Sequence, residues 1–429
     1  MQKKIILISS CLLVIIFSYA STMSLSKADQ EEIKKALQIQ GITEKELGFE
    51  KKWAVDSIYR LKIVTELLDN PMHVPAYLDK SVRTVDSLKQ GLSSQSLFLY
   101  NQLDIKITNG DIKKIKREIT KQVKNLPKRP SIINTINASY EIADKYLHQS
   151  IKNLTDLEIN TLLMMAPVLW GDEEDSLSGL KGALHREFGI EIDTSVKVEI
   201  DTILNLFTKI DRRALALSGI VITAGIEQIL EDIKNLSLDL TAKITVPNVK
   251  GAVYYYEETK AGKLVIGSEE DNVYQGDYAL IIDLGGNDVY RARVAGGIGV
   301  LASPFSVVID LAGDDLYDSA DKLFNLGAGL FGCGVLIDMQ GNDTYKSSHY
   351  GLGAGLLGTG VLLDFDGDDI YSGGCFCQGA GNLGIGVLLD VNGDDTYRGY
   401  ENCQAFSSTW GYGLLTDFSG NDLYYAGGK

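Results

Sequence analysis

Apolar positions along this chain follow two different periods, and the change between them falls near Val246-Pro247. From about Leu25 to Ala242 the spacing is helical. Ala54, Ile58, Leu61 and Leu68 form one stripe, and Ile200, Ile203, Leu204, Phe207 and Ile210 form another, both near the 3.6-residue period. This predicts a multi-helix domain. The run from Ala214 to Ile226 is apolar on nearly all sides, but its 13 residues fall short of the roughly 20 that span a bilayer. A buried central helix is the expectation. Polar breaks at Asn70-Pro71, Asn109-Gly110 and Lys128-Arg129-Pro130 separate the helices.

Beyond Val246 the apolar runs shorten to strand length and begin to repeat. Ala252 to Tyr256 and Lys263 to Gly267 read as a hairpin, and Glu270-Asp271-Asn272-Val273-Tyr274 as a worn first copy of a turn that follows six times. The copies are IIDLGGNDVY, VIDLAGDDLY, LIDMQGNDTY, LLDFDGDDIY, LLDVNGDDTY and LTDFSGNDLY, with leading residues Asp283, Asp310, Asp338, Asp364, Asp390 and Asp417 at steps of 27, 28, 26, 26 and 27. A period that steady is one structural unit stacked along an axis. Each unit has an apolar strand, a piece after the turn such as Asp395-Thr396-Tyr397-Arg398, and a small polar piece such as Cys377-Gln378-Gly379-Ala380. Three strands and three turns per unit predict a parallel β-helix, about 29 Å long for six coils spaced about 4.8 Å apart. A propeller blade needs about 40 residues or more. The apolar strands do not alternate with polar residues, so both faces should be covered, and the helical domain is the available cover. The expected fold is therefore α plus all-β: helical domain 21–245, β cap 246–282 and β-helix 283–429.

The opening residues read as an export signal. Lys3 and Lys4 precede an apolar stretch from Ile5 to Phe17, and Ser18-Tyr19-Ala20 supplies small residues for cleavage after Ala20. Only about four apolar residues precede Ser9-Ser10-Cys11, too few for a lipoprotein signal. An exported protein with no membrane anchor after cleavage is the expectation.

Net charge is −16, and all of the excess lies in the repeats, where residues 263–429 hold 23 Asp and Glu against seven Lys and Arg. Cations suit such a surface, whereas nucleic acid and anionic lipid do not. In a stack, the leading Asp residues approach one another, as does a second column of Asp288, Asp315, Asp343, Asp369, Asp395 and Asp422. Each neighbouring like-charge pair costs about 1 kcal/mol in water at that spacing. Two readings remain open for these 12 carboxylates. Either they are Asx-type caps whose glycines supply left-handed backbone, with the following Asn or Asp tolerating the same conformation, or they also bind Ca²⁺, which takes six to eight oxygens.

GGNDVY resembles a fragment of the calcium-binding nonapeptide repeats of secreted bacterial toxins and proteases, although the nine-residue period is absent. The longer pattern resembles a family of exported bacterial repeat proteins whose glycine-rich units end in GVLLD and continue to G-[ND]-D-x-Y. Gly379-Ala380-Gly381-Asn382-Leu383-Gly384-Ile385-Gly386-Val387-Leu388-Leu389-Asp390 and the Gln378-Gly379 step carry it over about residues 263–429. This likeness implies a repeat fold and no reaction. The GxGxxG matches beginning at Gly327, Gly353 and Gly379 lead into a strand rather than a helix, so they read as solenoid corners and no nucleotide is expected.

Where the repeat is broken, equal offsets align His349 with Cys375 and Glu401, and Gly351 with Cys377 and Cys403. A Cys377–Cys403 disulfide, stacked free thiols, a Zn²⁺ site on His349 and the cysteines, and a Cys375 nucleophile with His349 as base and Glu401 as orienter all compete here. The Tyr column (Tyr290, Tyr317, Tyr345, Tyr371, Tyr397, Tyr424) reads as stacked aromatics, or as an exposed ladder for sugar rings. Gln378 and Gln404 read as an amide ladder. In the helical domain His185-Arg186-Glu187 is not HExxH, Asp172-Glu173-Glu174-Asp175 reads as a solvated loop or helix start, and His73 and His148 stand alone. The expected function is a non-catalytic structural or binding module, stabilised by Ca²⁺ if the second reading of the carboxylates holds, with cations and glycans or another protein as the partner classes. A polysaccharide-acting enzyme using the β-helix wall is the alternative, with Glu401 as its best acid.

Overall fold

The computed structural model describes residues 25–49, 51, 57–86, 91–127, 129–169, 176–190, 200–234, 242–291, 293–301, 303–319 and 321–427. The export signal, Ala54 of the first helical stripe, Lys128 and the acidic run Asp172–Asp175 lie outside them. The N-terminal half is helical, and several of its helices start where the sequence supplies a capping box. Ser26 with Asp29, Thr108 with Asp111, and Thr155 with Glu158 each exchange side-chain and backbone bonds across the first turn. The central helix is longer than its apolar run. Arg212–Lys234 spans 23 residues, and its apolar window, long enough to cross a membrane, is 72% buried within the fold. It packs on Ser131–Ile151, where Gly225 lets the Ser139 side chain approach the helix backbone.

The C-terminal part is a parallel β-solenoid with three walls. The first wall contains Leu280–Ile282, Phe305–Ile309, Cys333–Ile337, Thr359–Leu363, Ile385–Asp390 and Tyr412–Asp417. The second contains Val289–Arg291, Leu316–Ser319, Thr344–Ser347, Ile370–Cys375, Thr396–Glu401 and Leu423–Ala426. Each strand stacks in register on the same positions of the next coil, so Val335 lies between Val307 and Val361, and Tyr345 between Tyr317 and Tyr371. At the start, Val253–Thr259 pairs antiparallel with Gly262–Gly267, and Val249–Lys250 pairs antiparallel with Val273–Gln275. These antiparallel strands cap the N-terminal edge, as expected for the worn first coil.

Alternate residues of the first wall bury on opposite sides. Val308, Leu336, Leu362 and Leu388 point into the solenoid, whereas Val307, Ile309, Val335 and Ile337 pack against Ile133, Ile136, Ile220 and Ile222 of the helical domain. That double burial explains the unbroken apolar strands, since each fully buried aliphatic side chain contributes about 1.5–3 kcal/mol.

The third wall is shorter than expected. Its paired strands are Gly297–Ile298, Gly329–Leu330, Gly355–Leu356 and Gly381–Asn382, so the GxGxxG runs build this wall as well as the corner after it. Glycine is needed because neighbouring backbone crowds the site: a Cβ on Gly329 would meet Thr359 backbone, and one on Gly355 would meet Ile385 backbone. Outside it, Leu330, Phe331, Leu356 and Leu357 join Leu162, Leu184, Ile203 and Phe207 in a second shared core. Helices therefore clad the first and third walls. The second wall faces water with Arg291, Lys346, Ile370 and Arg398.

Candidate metal centre

The repeated turn closes each coil through its glycine. Gly313, Gly341, Gly367, Gly393 and Gly420 have φ between 150° and 157° or, for Gly367, 159°, and a Cβ on any of them would strike the carbonyl oxygen of the glycine one coil back. The Asn or Asp that follows is not left-handed, contrary to expectation. Its role is to link coils at the surface: Asp314 accepts from the Asn342 backbone N–H at 2.9 Å, and Asn342 from that of Asp368 at 2.9 Å.

The two Asp columns lie beneath that surface. The leading carboxylates of Asp283, Asp310, Asp338, Asp364 and Asp390 are fully buried, and Asp288, Asp315, Asp343, Asp369 and Asp395 are at most 3% exposed. Asp417 and Asp422 in the last coil are half-buried. Five leading residues cap their own turns as Asx motifs: Oδ1 of Asp283, Asp310, Asp338, Asp364 and Asp417 accepts the backbone N–H two residues on, at 2.8–3.3 Å. Oδ2 accepts the tyrosine hydroxyl of the preceding coil, as from Tyr317 to Asp338 at 2.6 Å and from Tyr371 to Asp390 at 2.5 Å.

The tyrosines form a buried ladder. From Tyr290 to Tyr397 they are unexposed, and successive rings lie 4.5–4.9 Å apart and 2–7° from parallel. The stacked reading of this column is the observed one. Only Tyr424, in the last coil, is exposed.

Most second-column carboxylates have one oxygen that accepts a backbone bond and one that accepts none, whereas Asp343 Oδ2 accepts the Tyr345 hydroxyl at 3.4 Å. Oδ1 accepts the N–H of its counterpart one coil earlier, at 2.6 Å from Asp288 to Asp315, from Asp315 to Asp343 and from Asp343 to Asp369. Oδ2 of Asp288, Asp315, Asp369 and Asp395 is buried and receives no hydrogen bond from a backbone, hydroxyl, amide or basic donor; the group that faces it is the leading carboxyl of its own coil, with which it bonds only when one of the two is protonated. Among the described residues no Lys, Arg or His pairs with any of the 12 carboxylates. Burial, reinforced by neighbouring carboxylates, raises the Asp288 pKa to about 7 and that of Asp343 to about 8. An anionic column is therefore not stable by itself.

The carboxylates converge in five groups of three. Donor oxygens of Asp283, Asp288 and Asp310 all lie within 4.8 Å of one another, and the same holds for Asp310/Asp315/Asp338, Asp338/Asp343/Asp364, Asp364/Asp369/Asp390 and Asp390/Asp395/Asp417. Each group joins both acids of one coil to the leading acid of the next. The donors are all oxygens, the residues that carry the unpaired Oδ2 atoms belong to these groups, and each coil brings two carboxyl groups. Such clusters can hold a metal ion, and oxygen-only donors suit a hard cation.

The residues at the broken part of the repeat converge differently. Among the described residues no group of three His, Cys, Asp or Glu donors closes around His349 or the cysteines. His349 Nδ1 accepts the backbone N–H of Cys375 at 3.1 Å, rather than facing its thiol. The Cys375 sulfur lies 3.9 Å from Glu401 Oε2, and burial with that neighbouring charge pushes its thiol up to about 12. A base-activated nucleophile is not what this geometry builds. All four cysteines of the described chain are free thiols.

Sequence reasoning missed three columns of bulky left-handed residues at the corners, one of them Phe331, Leu357 and Leu383 with φ of 47°, 52° and 50°. In the other two, Phe324, Tyr350 and Phe376 have φ of 52°, 53° and 56°, and Leu326, Leu352 and Gln378 of 47°, 54° and 55°. Each such residue costs roughly 1–2 kcal/mol. Ring stacking at 5.1 and 4.7 Å along the column of Phe324, Tyr350 and Phe376 offsets part of that cost.

Fold and site together define a helix-clad parallel β-solenoid with an internal carboxylate column. The chain matches no family model, and no curated protein and no solved structure matches it.

Proposed function

We propose that this protein is an exported, non-catalytic structural or binding module whose β-solenoid is held together by Ca²⁺ in the Asp column. The observation that carries the reading is the buried Oδ2 of Asp288, Asp315, Asp369 and Asp395, which receives no backbone, hydroxyl, amide or basic donor, each residue lying in a group of three carboxylates with no basic side chain to balance it. Oxygen-only donors favour Ca²⁺ over softer ions, and two carboxylates per coil match one divalent cation in charge. Backbone carbonyls and water would complete the coordination. Export follows from the leader-like residues 1–20, and the likeness to exported glycine-rich repeat proteins agrees with it. Beyond the cations, glycans or another protein are the partner classes expected. The catalytic alternative has less support, because the paired carboxylates are enclosed rather than lining a groove.

The test is thermal melting of the purified protein in EDTA and in millimolar Ca²⁺ at pH 7, with the bound ions counted by equilibrium dialysis. The expected result is a rise in Tm with Ca²⁺ and up to five ions per chain. An unchanged Tm would sink the calcium reading.

A further inference from the structure

The second strand wall ends in a pair of stacked thiols that the cation reading does not use. Cys375 pairs in register with Glu401, and two residues on, Cys377 and Cys403 occupy equivalent positions of adjacent coils. Backbone bonds hold that register on both sides, from Phe376 N–H to the Glu401 carbonyl at 3.0 Å and from Ala405 N–H to the Gln378 carbonyl at 2.9 Å. The flanking residues repeat as well, since Phe376 and Asn402, and Gln378 and Gln404, are all left-handed. Equivalent residues of stacked coils lie about 4.8 Å apart, which is within the Cα range of a disulfide. Each cysteine also has room beside it because Gly373 and Gly399 face the two side chains, where a Cβ would crowd Cys377 and Cys403 respectively.

We propose that Cys377 and Cys403 are a reversible dithiol–disulfide pair that staples the fourth coil to the fifth. The inference is independent of Ca²⁺. Cys377 is fully buried, whereas Cys403 is half-buried, so an oxidant reaches the pair through Cys403. The environments separate the two cysteines further. A hydrogen bond from Cys377 and backbone donors lower the Cys403 pKa, while burial raises that of Cys377 and pushes Cys375 and Cys333 up to about 12.

The exchange balances with a small disulfide as oxidant. The Cys403 thiolate attacks one sulfur of the oxidant RSSR, breaking its S–S bond and expelling RS⁻. Cys377 then gives up its proton and attacks the Cys403 sulfur, breaking the mixed disulfide and releasing a second RS⁻. Both departing thiolates take protons, so two protein thiols and RSSR become one protein disulfide and two RSH. The staple closes a 26-residue loop. It secures the fifth coil, on whose Thr396–Glu401 strand the last coil stacks with Leu423, Tyr424 and Tyr425 exposed.

The experiment compares purified protein equilibrated with oxidised glutathione and with dithiothreitol, in EDTA throughout. The expected result is loss of two thiols among Cys333, Cys375, Cys377 and Cys403, a non-reducing peptide map linking Cys377 to Cys403, and a rise in Tm of about 5 °C. Cys375→Ser should still lose two thiols, now of three, and keep the link and the Tm rise, and Cys403→Ser should abolish the link and the Tm rise. Survival of all four of these thiols through oxidation of the wild type would overturn the proposal. So would a link that includes Cys375, or the same Tm rise in Cys403→Ser.

Discussion

Replacing one second-column acid by its neutral isostere separates a metal site from a plain turn, and Asp369 is the best position. Its Oδ1 accepts the Asp343 N–H at 2.6 Å, its Oδ2 receives no backbone, hydroxyl, amide or basic donor, and it is 1% exposed. In Asp369→Asn the Oδ1 bond survives, and the new amide can donate to the leading carboxylates of Asp364 and Asp390. Burial, followed by the charge of Asp364, raises the wild-type pKa to about 10. At pH 7 without metal the folded protein therefore keeps a proton that the unfolded chain, with a pKa near 3.9, has released. Holding it costs about 4 kcal/mol, at about 1.4 kcal/mol per pH unit. The sign follows from the raised folded pKa: stability is fully present below about pH 4 and declines as pH rises towards the folded value. In EDTA at pH 7 the Asn variant should thus be more stable than wild type, by up to about 4 kcal/mol, and the gain should vanish near pH 4. In saturating Ca²⁺ the order should reverse, because the variant has lost a ligand. Urea denaturation at pH 4 and pH 7, with EDTA and with Ca²⁺, measures all four differences. If Asp369→Asn is destabilised equally in EDTA and Ca²⁺ at pH 7, the carboxylate is only a backbone cap and the reasoning fails.

Other substitutions test the supports around this column. Tyr371→Phe removes a buried hydroxyl donor 2.5 Å from Asp390 Oδ2 and should lower unfolding free energy by about 1.5–3 kcal/mol in denaturant titrations. Gly341→Ala should disrupt the third coil, because the added methyl strikes the Gly313 carbonyl; unchanged circular dichroism and Tm would contradict that packing. Arg293 is 8% exposed and joins Glu187 of the helical domain at 2.6 Å, Asp277 at 3.0 Å and the Leu323 carbonyl at 3.1 Å. Arg293→Ala should cost about 3–5 kcal/mol by leaving Glu187 buried and unpaired, and Glu187→Gln in the same background should recover part of the loss.

Much of the solenoid was legible because its determinants are local and repeated. Six copies of Gly before Asn or Asp, with Tyr three residues after that Gly's neighbour, place the same corner at the same step, and register then follows by stacking. The helical cover was legible for a related reason: Val307, Ile309, Val335 and Ile337 leave no polar face for water. Left-handed Phe324, Tyr350 and Phe376 were not legible, since local sterics favour Gly or Asn there and only the stacked neighbours in other coils stabilise the exception. The Arg293–Glu187 bond joins residues 106 apart in sequence, so no local pattern announces it. In the site, both Asp columns were visible as residues. Their enclosure was not, because acids beside a glycine turn ordinarily face water.

That enclosure changes what the acidic composition means. The 12 column acids account for about half of the 23 in residues 263–429, and the remaining 11 stand against seven Lys and Arg. Ten of the 12 are buried. Whether protons or cations neutralise them, their charge is compensated internally and contributes little to the field at the surface. The negative total is therefore chiefly a statement about folding: a coil closes only when its carboxylates are balanced. Arguments from net charge about what approaches the protein have to start from the outer residues, among them Arg291, Lys346 and Arg398 of the open second wall, with Asp318 between them. On the proposed calcium reading, partners should accordingly be sought at a fixed Ca²⁺ concentration and pH, since both would set how the carboxylate column is neutralised.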